Sequence, residues 1–138
     1  MKLWNKSSDI DSKIESFTIG NDPEYDMFLA SYDIKGSQAH AKMLHKVGFL
    51  SSSELESILG GLDEILKKVE EGQFKIDEGV EDIHSQVEFS LIQMIGEPGK
   101  KLHLARSRND QIAVDLKLYY RDQLSEIKNM VIELTDSL

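Results

Sequence analysis

Residues 107–138 read SRNDQIAVDLKLYYRDQLSEIKNMVIELTDSL. Leu116, Tyr120, Gln123, Ile127, Val131, Leu134 and Leu138 step by 4, 3, 4, 4, 3 and 4. That is close to heptad spacing and suits a long helix packed along others in a bundle. The stretch holds no glycine and no proline. Ser107 with Asp110 three residues on is a capping arrangement, so the helix is expected to start at Ser107. At Leu138 the pattern is in full stride, without the basic last turn, glycine or proline that commonly closes a helix. This predicts a chain cut short, by design or by a shortened gene; a helix fraying at a natural terminus is the plainer alternative.

Upstream, the chain reads as helix after helix. A first helix is expected from Asp22 and Pro23, a cap followed by proline at the first helical position. It would carry Phe28, Leu29, Tyr32, Met43, Leu44 and Val47, be kinked or interrupted at Gly36-Ser37, and stop at Gly48. In a second, Ser53 and Glu56 form a capping box. Leu55, Ile58, Leu59, Leu62, Ile65, Leu66 and Val69 then share a face, and Gly72 closes the helix. Gly60-Gly61, inside it, reads as structural. A third spans about Glu81 to Ile95, with Ile83, Val87, Leu91, Met94 and Ile95 apolar and Gly96 and Pro98 ending it. Glu81 and Asp82 lie at its start, where the helix dipole favours negative charge. No useful strand alternation and no internal repeat is visible. The fold class is all-α: an N-terminal helical domain over 1–106, followed by the start of a long central-bundle helix over 107–138.

Composition narrows the function. The chain has 138 residues, 40% hydrophobic and 30% charged, as in an ordinary soluble domain. Its formal net charge of -9 argues against nucleic-acid binding and against anionic membranes. No cysteine is present, which removes disulfides, thiolate metal sites and cysteine nucleophiles. Met1 to Ser12 has no apolar run and no stretch could span a bilayer, so an intracellular, cytoplasmic location is expected.

Against that acidic background Lys100, Lys101, Arg106 and Arg108 form a basic island. On charge alone a solvated loop explains it slightly better. The string His103-Leu104-Ala105-Arg106-Ser107-Arg108-Asn109-Asp110-Gln111 is less common. A capped helix start offers free N–H groups to a carboxylate or phosphate, and Arg108 adds a forked grip. Arg106 and Arg108 are two apart and cannot point the same way, so one would meet ligand and the other a protein acid. His84 follows Glu81 and Asp82, and a nearby carboxylate would raise its pKa; a surface histidine near a helix start is the alternative. His40 and His45 are five apart, and His84 and His103 nineteen, so no pair has helical zinc spacing and no metal is expected. No glycine-rich phosphate loop and no G-x-S-x-G is found.

Several stretches together resemble the argininosuccinate lyase family, within the fumarase/aspartase superfamily. Lys101-Leu102-His103 followed by Arg106-Ser107-Arg108-Asn109-Asp110-Gln111 resembles its first conserved segment. Glu81-Asp82-Ile83-His84, with Glu88 after it, resembles its acidic-histidine motif. Asp33-Ile34-Lys35-Gly36-Ser37-Gln38-Ala39-His40 resembles its D-[IV]-x-G-S-x-A-[HY] stretch, and Leu3-Trp4 its early L-W. The order is right and the matches cover nearly the whole chain.

The resemblance implies β-elimination of argininosuccinate to arginine and fumarate, in arginine biosynthesis, without metal or organic cofactor. It implies that Asn109 hydrogen-bonds substrate, that Ser107 and Arg108 shape the carboxylate site, and that His84 lies in or beside the active site. Arg106 would be structural, Gln111 would buttress the helix start, and Asp110 and Asp82 would support it. The family builds its sites where three subunits of a homotetramer meet. Its catalytic Thr-His pair and serine loop would lie beyond residue 138. This chain would therefore hold no catalytic residue of its own and be inactive alone. A non-catalytic self-association module and another lyase of the superfamily are the competing readings. Two departures stand out: Leu104-Ala105 where the family usually has Thr or Ser then Gly, and Phe17-Thr18-Ile19-Gly20-Asn21-Asp22 where it has Phe-Asn-x-Ser. In the second, the contact serine would align near Gly20 or Asn21.

Overall fold

The structure is a computed structural model that describes residues 22–138. The readings of Met1 to Ser12, of Leu3-Trp4 and of the Phe17 to Asn21 segment lie outside the described residues. Helix α1 covers Asp22–Asp26, and a 3-10 turn over Met27–Leu29 leads into α2, Ala30–Lys46. Helix α3 covers Ser52–Glu70, α4 covers Ile83–Ile95, and a second 3-10 turn covers Glu97–Lys101. Helix α5 covers Arg108–Asp136. Among the described residues there is no strand. The chain is all-α, as expected. No helix among them is long and apolar enough to cross a membrane.

Helix α2 packs on both α3 and α5, and α3 packs on α4. The core runs through Ile34 and Leu44 of α2, Ile58, Leu62 and Ile65 of α3, and Ile83, Val87 and Leu91 of α4. Each such side chain contributes about 1.5–3 kcal/mol by leaving water. The apolar face expected of α3 is the face that is buried. Gly61 has a packing reason: a Cβ there would stand 2.5 Å from Leu91 Cδ1, so the glycine lets α3 and α4 approach.

Three local expectations are corrected. Helix α2 runs through Gly36-Ser37 without a break, and both residues are buried in it. Its inward stripe is Ala30, Ile34, Ser37, Ala41 and Leu44, with Asp33 beside it, whereas Phe28, Met43 and Val47 are exposed. Small residues let α2 be crowded on two sides. The capping box of α3 is Ser51 with Glu54, two residues before the expected pair. Glu54 is fixed there because it also accepts from Lys101 Nζ. In α4, Met94 faces solvent.

Helix α5 reaches Asp136 as one element, but only Gln111 and Asp115 of it are buried. Tyr120, Ile127, Val131 and Leu134, expected on a packed seam, are each at least half exposed in this chain.

Candidate active site

Two helix N-termini meet at the site. Asp82 caps α4, its Oδ1 accepting from the Ser85 amide at 2.7 Å. Ser107 caps α5, its Oγ accepting from the Asn109 amide at 3.2 Å. Both caps are short polar side chains in extended backbone, the conformation a cap needs. The positive ends of two helix dipoles thus share one region.

Arg108 bridges them. Its Nη1 donates to Gln111 Oε1 at 3.1 Å and its Nη2 to Ser85 Oγ at 3.2 Å. Its Nε lies 3.7 Å from Asp82 Oδ2. Arg108, Asp82 and Ser85 are thereby brought together as one polar rim. Ser107, Asn109 and Asp110 are exposed on the open side of the α5 start. Of the two arginines, Arg108 pairs with a protein acid. Arg106 turns the other way, its Nη1 donating to the buried Ser37 Oγ at 2.9 Å. The basic island is not a free positive patch: Lys101 pairs with Glu54 and Lys100 with Glu97.

Beneath the rim lies a buried polar cluster. His84 is not a surface residue; it is 4% exposed and donates Nδ1–H to Asp33 Oδ1 at 2.9 Å. Asp115 Oδ2 stands 3.5 Å from the same nitrogen. Burial works against the charged imidazole, but its hydrogen bond to Asp33 and the charges of Asp33, Asp82 and Asp115 outweigh it and hold its pKa above the ordinary value. Burial, with Asp33 close by, pushes Asp115 up to about 7. Asp33 Oδ2 and both Asp115 oxygens are buried with no hydrogen-bond partner. A proton on Asp115 supplies the missing donor, since two adjacent buried carboxylates cannot both ionise cheaply.

Asp33, His84 and Asp115 place ligand-type atoms within 4.8 Å of one another. The His84 Nδ1–H and the Arg106 guanidinium both act on the negative charge of this pair of carboxylates. The cluster is read as a proton-sharing network.

The α2 motif explains how this is built. Asp33, Gly36, Ser37 and His40 fall on one helical face at i, i+3, i+4 and i+7. Asp33 takes His84 and Gln111. Gly36 lets α5 approach, since a Cβ there would lie 3.2 Å from Asp115 Oδ1 and 3.4 Å from Arg106 Nη2. Ser37 takes Arg106, and His40 Nε2 donates to the Leu104 carbonyl at 2.9 Å. Ser85 and Asp115 are functional-looking residues the sequence reading did not single out, and Asp33 and Ser37 were quoted in a motif but given no role. For Asp115 a signal existed: Arg108, Gln111 and Asp115 fall at i, i+3 and i+7, an inward stripe made of polar residues.

The Leu104-Ala105 departure has a visible consequence. Ala105 holds φ at +53°, and it is the one non-glycine among the described residues with positive φ. The left-handed region is where glycine is at ease and alanine is strained.

Comparison with known proteins agrees with this picture. Residues 5–138 match the model of a family described as lyase. The chain is 50% identical over 133 residues to an argininosuccinate lyase of Bacteroides thetaiotaomicron, covering 96% of this chain and 30% of that protein. It is 46% identical over 137 residues to one of Parabacteroides distasonis, covering 99% of this chain and 31% of the relative. It is 47% identical over 137 residues to one of Thermotoga neapolitana, covering 99% and 34% respectively. The chain spans about a third of the length of the curated relatives it matches.

Proposed function

The chain belongs to this lyase family, and from that premise we propose that it is the N-terminal part of an argininosuccinate lyase, holding substrate for β-elimination to arginine and fumarate. The observation that carries the reading is Arg108, a fork-shaped cation held by Ser85, Gln111 and Asp82 between two helix N-termini. Such a place suits a carboxylate, and suits better the aci-carboxylate that forms when a proton leaves the neighbouring carbon. Arg108 and the exposed Asn109 grip and orient the succinyl end, Ser107 supports the helix start, and His84 lies below. The carbon–nitrogen bond then breaks and the guanidino group departs with arginine. The groups that move protons are assigned to segments outside residues 1–138, and no cofactor enters the reaction.

The same reading makes 1–106 the helical domain and 107–138 the start of a bundle helix. It places the protein in the cytoplasm, in arginine biosynthesis, as part of a homotetramer. The exposed apolar residues of α5, among them Leu124, Ile127, Val131 and Leu134, also favour a second reading, a helical self-association module. Fumarate release, followed by its ultraviolet absorbance, tests the first. A full-length lyase with this segment releases fumarate from argininosuccinate, and residues 1–138 alone do not. No release from the full-length protein overturns the assignment. For the second reading, sedimentation of 1–138 as a clean monomer without exposed apolar surface contradicts self-association.

A further inference from the structure

Gln111 is 4% exposed and sits one helical turn below Arg108. Its amide is used at both ends: Nε2 donates to Asp33 Oδ1, and Oε1 accepts from Arg108 Nη1 at 3.1 Å. Chemistry permits only this orientation. The Asp33 carboxylate, already taking a hydrogen from His84, accepts and does not donate, while a guanidinium donates and cannot accept. A turned amide would face its NH2 against Arg108 and its oxygen against Asp33. The buried carboxylate on α2 therefore decides which atom α5 shows to its own first-turn arginine.

We propose that Gln111, oriented by Asp33, is the positioning residue for Arg108, fixing the direction in which the guanidinium meets an anionic ligand. Ser85 Oγ and Asp82 hold the other nitrogens from α4, but among the described residues Gln111 alone links the arginine to the buried cluster. The ligand class, a carboxylate, rests on the lyase reading above; the positioning itself does not.

The test separates positioning from space-filling because the two roles predict opposite outcomes. Gln111→Met keeps length and volume and removes both hydrogen bonds. Gln111→Glu keeps an oxygen facing Arg108 and, since two adjacent buried carboxylates cannot both ionise cheaply, keeps a proton to donate to Asp33. The readout is rotation about the Arg108 Nε–Cζ bond in the 15N-labelled 138-residue chain, with the signals assigned by Arg108→Lys. In the native chain the rotation is slow. Gln111→Met speeds it about tenfold, the loss of one charge-assisted hydrogen bond, while Gln111→Glu leaves it slow. A filler role would instead make Met silent and Glu the damaging change. Unaltered rotation in Gln111→Met overturns the proposal, and so does fast rotation in a folded Gln111→Glu; helical circular dichroism checks that each variant is folded. Titration with fumarate forms a separate arm. If fumarate fails to shift the Arg108 signals while rotation behaves as stated, the carboxylate reading falls and the positioning role stands.

Discussion

Asp115 enters the protein interior with neither oxygen hydrogen-bonded, beside a second buried carboxylate and a buried histidine. The folded chain therefore holds a proton there, and on His84, more tightly than the unfolded chain does. For a raised pKa the linked stability is present at low pH and lost as pH rises through the folded value. Stability should fall by on the order of 1 kcal/mol between pH 6 and pH 9. Urea unfolding across that range measures it. Asp115→Asn, whose amide donates without titrating, should flatten the slope, and a slope unchanged in that variant would contradict the shared proton. At Ala105 the left-handed backbone stores strain. Ala105→Gly should raise stability by about 0.5–1 kcal/mol, the relieved strain less the extra freedom of glycine in the unfolded chain. Thermal unfolding decides it, and a loss would mean the turn is not strained. These residues also mark what the sequence leaves hidden. Asp33 was visible in a motif, but its partners come from α4 and α5, and nothing within α2 says that a carboxylate there is buried. For the same reason α4 alone leaves a surface position open for His84, and only the family resemblance placed it at the site.

At the element scale, helix ends and faces were legible where one local pattern spoke alone. The cap at Ser107 and the face of α3 follow from residue type and spacing, whereas Asp82 was read only as a favourable charge and is the cap itself. Where two patterns compete, tertiary contact decides. Ser51-Ser52-Ser53-Glu54-Leu55-Glu56 contains two overlapping boxes, and Lys101, distant in sequence, selects Glu54 and hence Ser51. Ser51→Ala should therefore cost about 1 kcal/mol, and Ser53→Ala much less. Denaturant midpoints of the two variants compare them directly, and equal losses would contradict the assignment. Helix α2 teaches the converse. Its inward stripe mixes the large Ile34 and Leu44 with Ala30, Ser37 and Ala41, and α3 and α5 both press on it. Gly36 is a packing residue rather than a kink.

For the whole molecule, the helical class and the order of helices follow from periodicity and breakers, and the site residues named from the sequence do share a region. Arg108, Gln111, Asp82 and His84 form a connected set from rim to interior. The depth of that set was not legible, because it is made by three helices meeting. In the proposed lyase, residues 1–138 hold substrate and other segments move protons. Let residues 1–138 replace the matching segment of the Bacteroides thetaiotaomicron argininosuccinate lyase, and let fumarate release from argininosuccinate be measured with and without Arg108→Ala. The account predicts that the hybrid turns over and that Arg108→Ala lowers kcat/KM by about a hundredfold or more. A folded hybrid that is inert, or one that Arg108→Ala leaves at full activity, would contradict it.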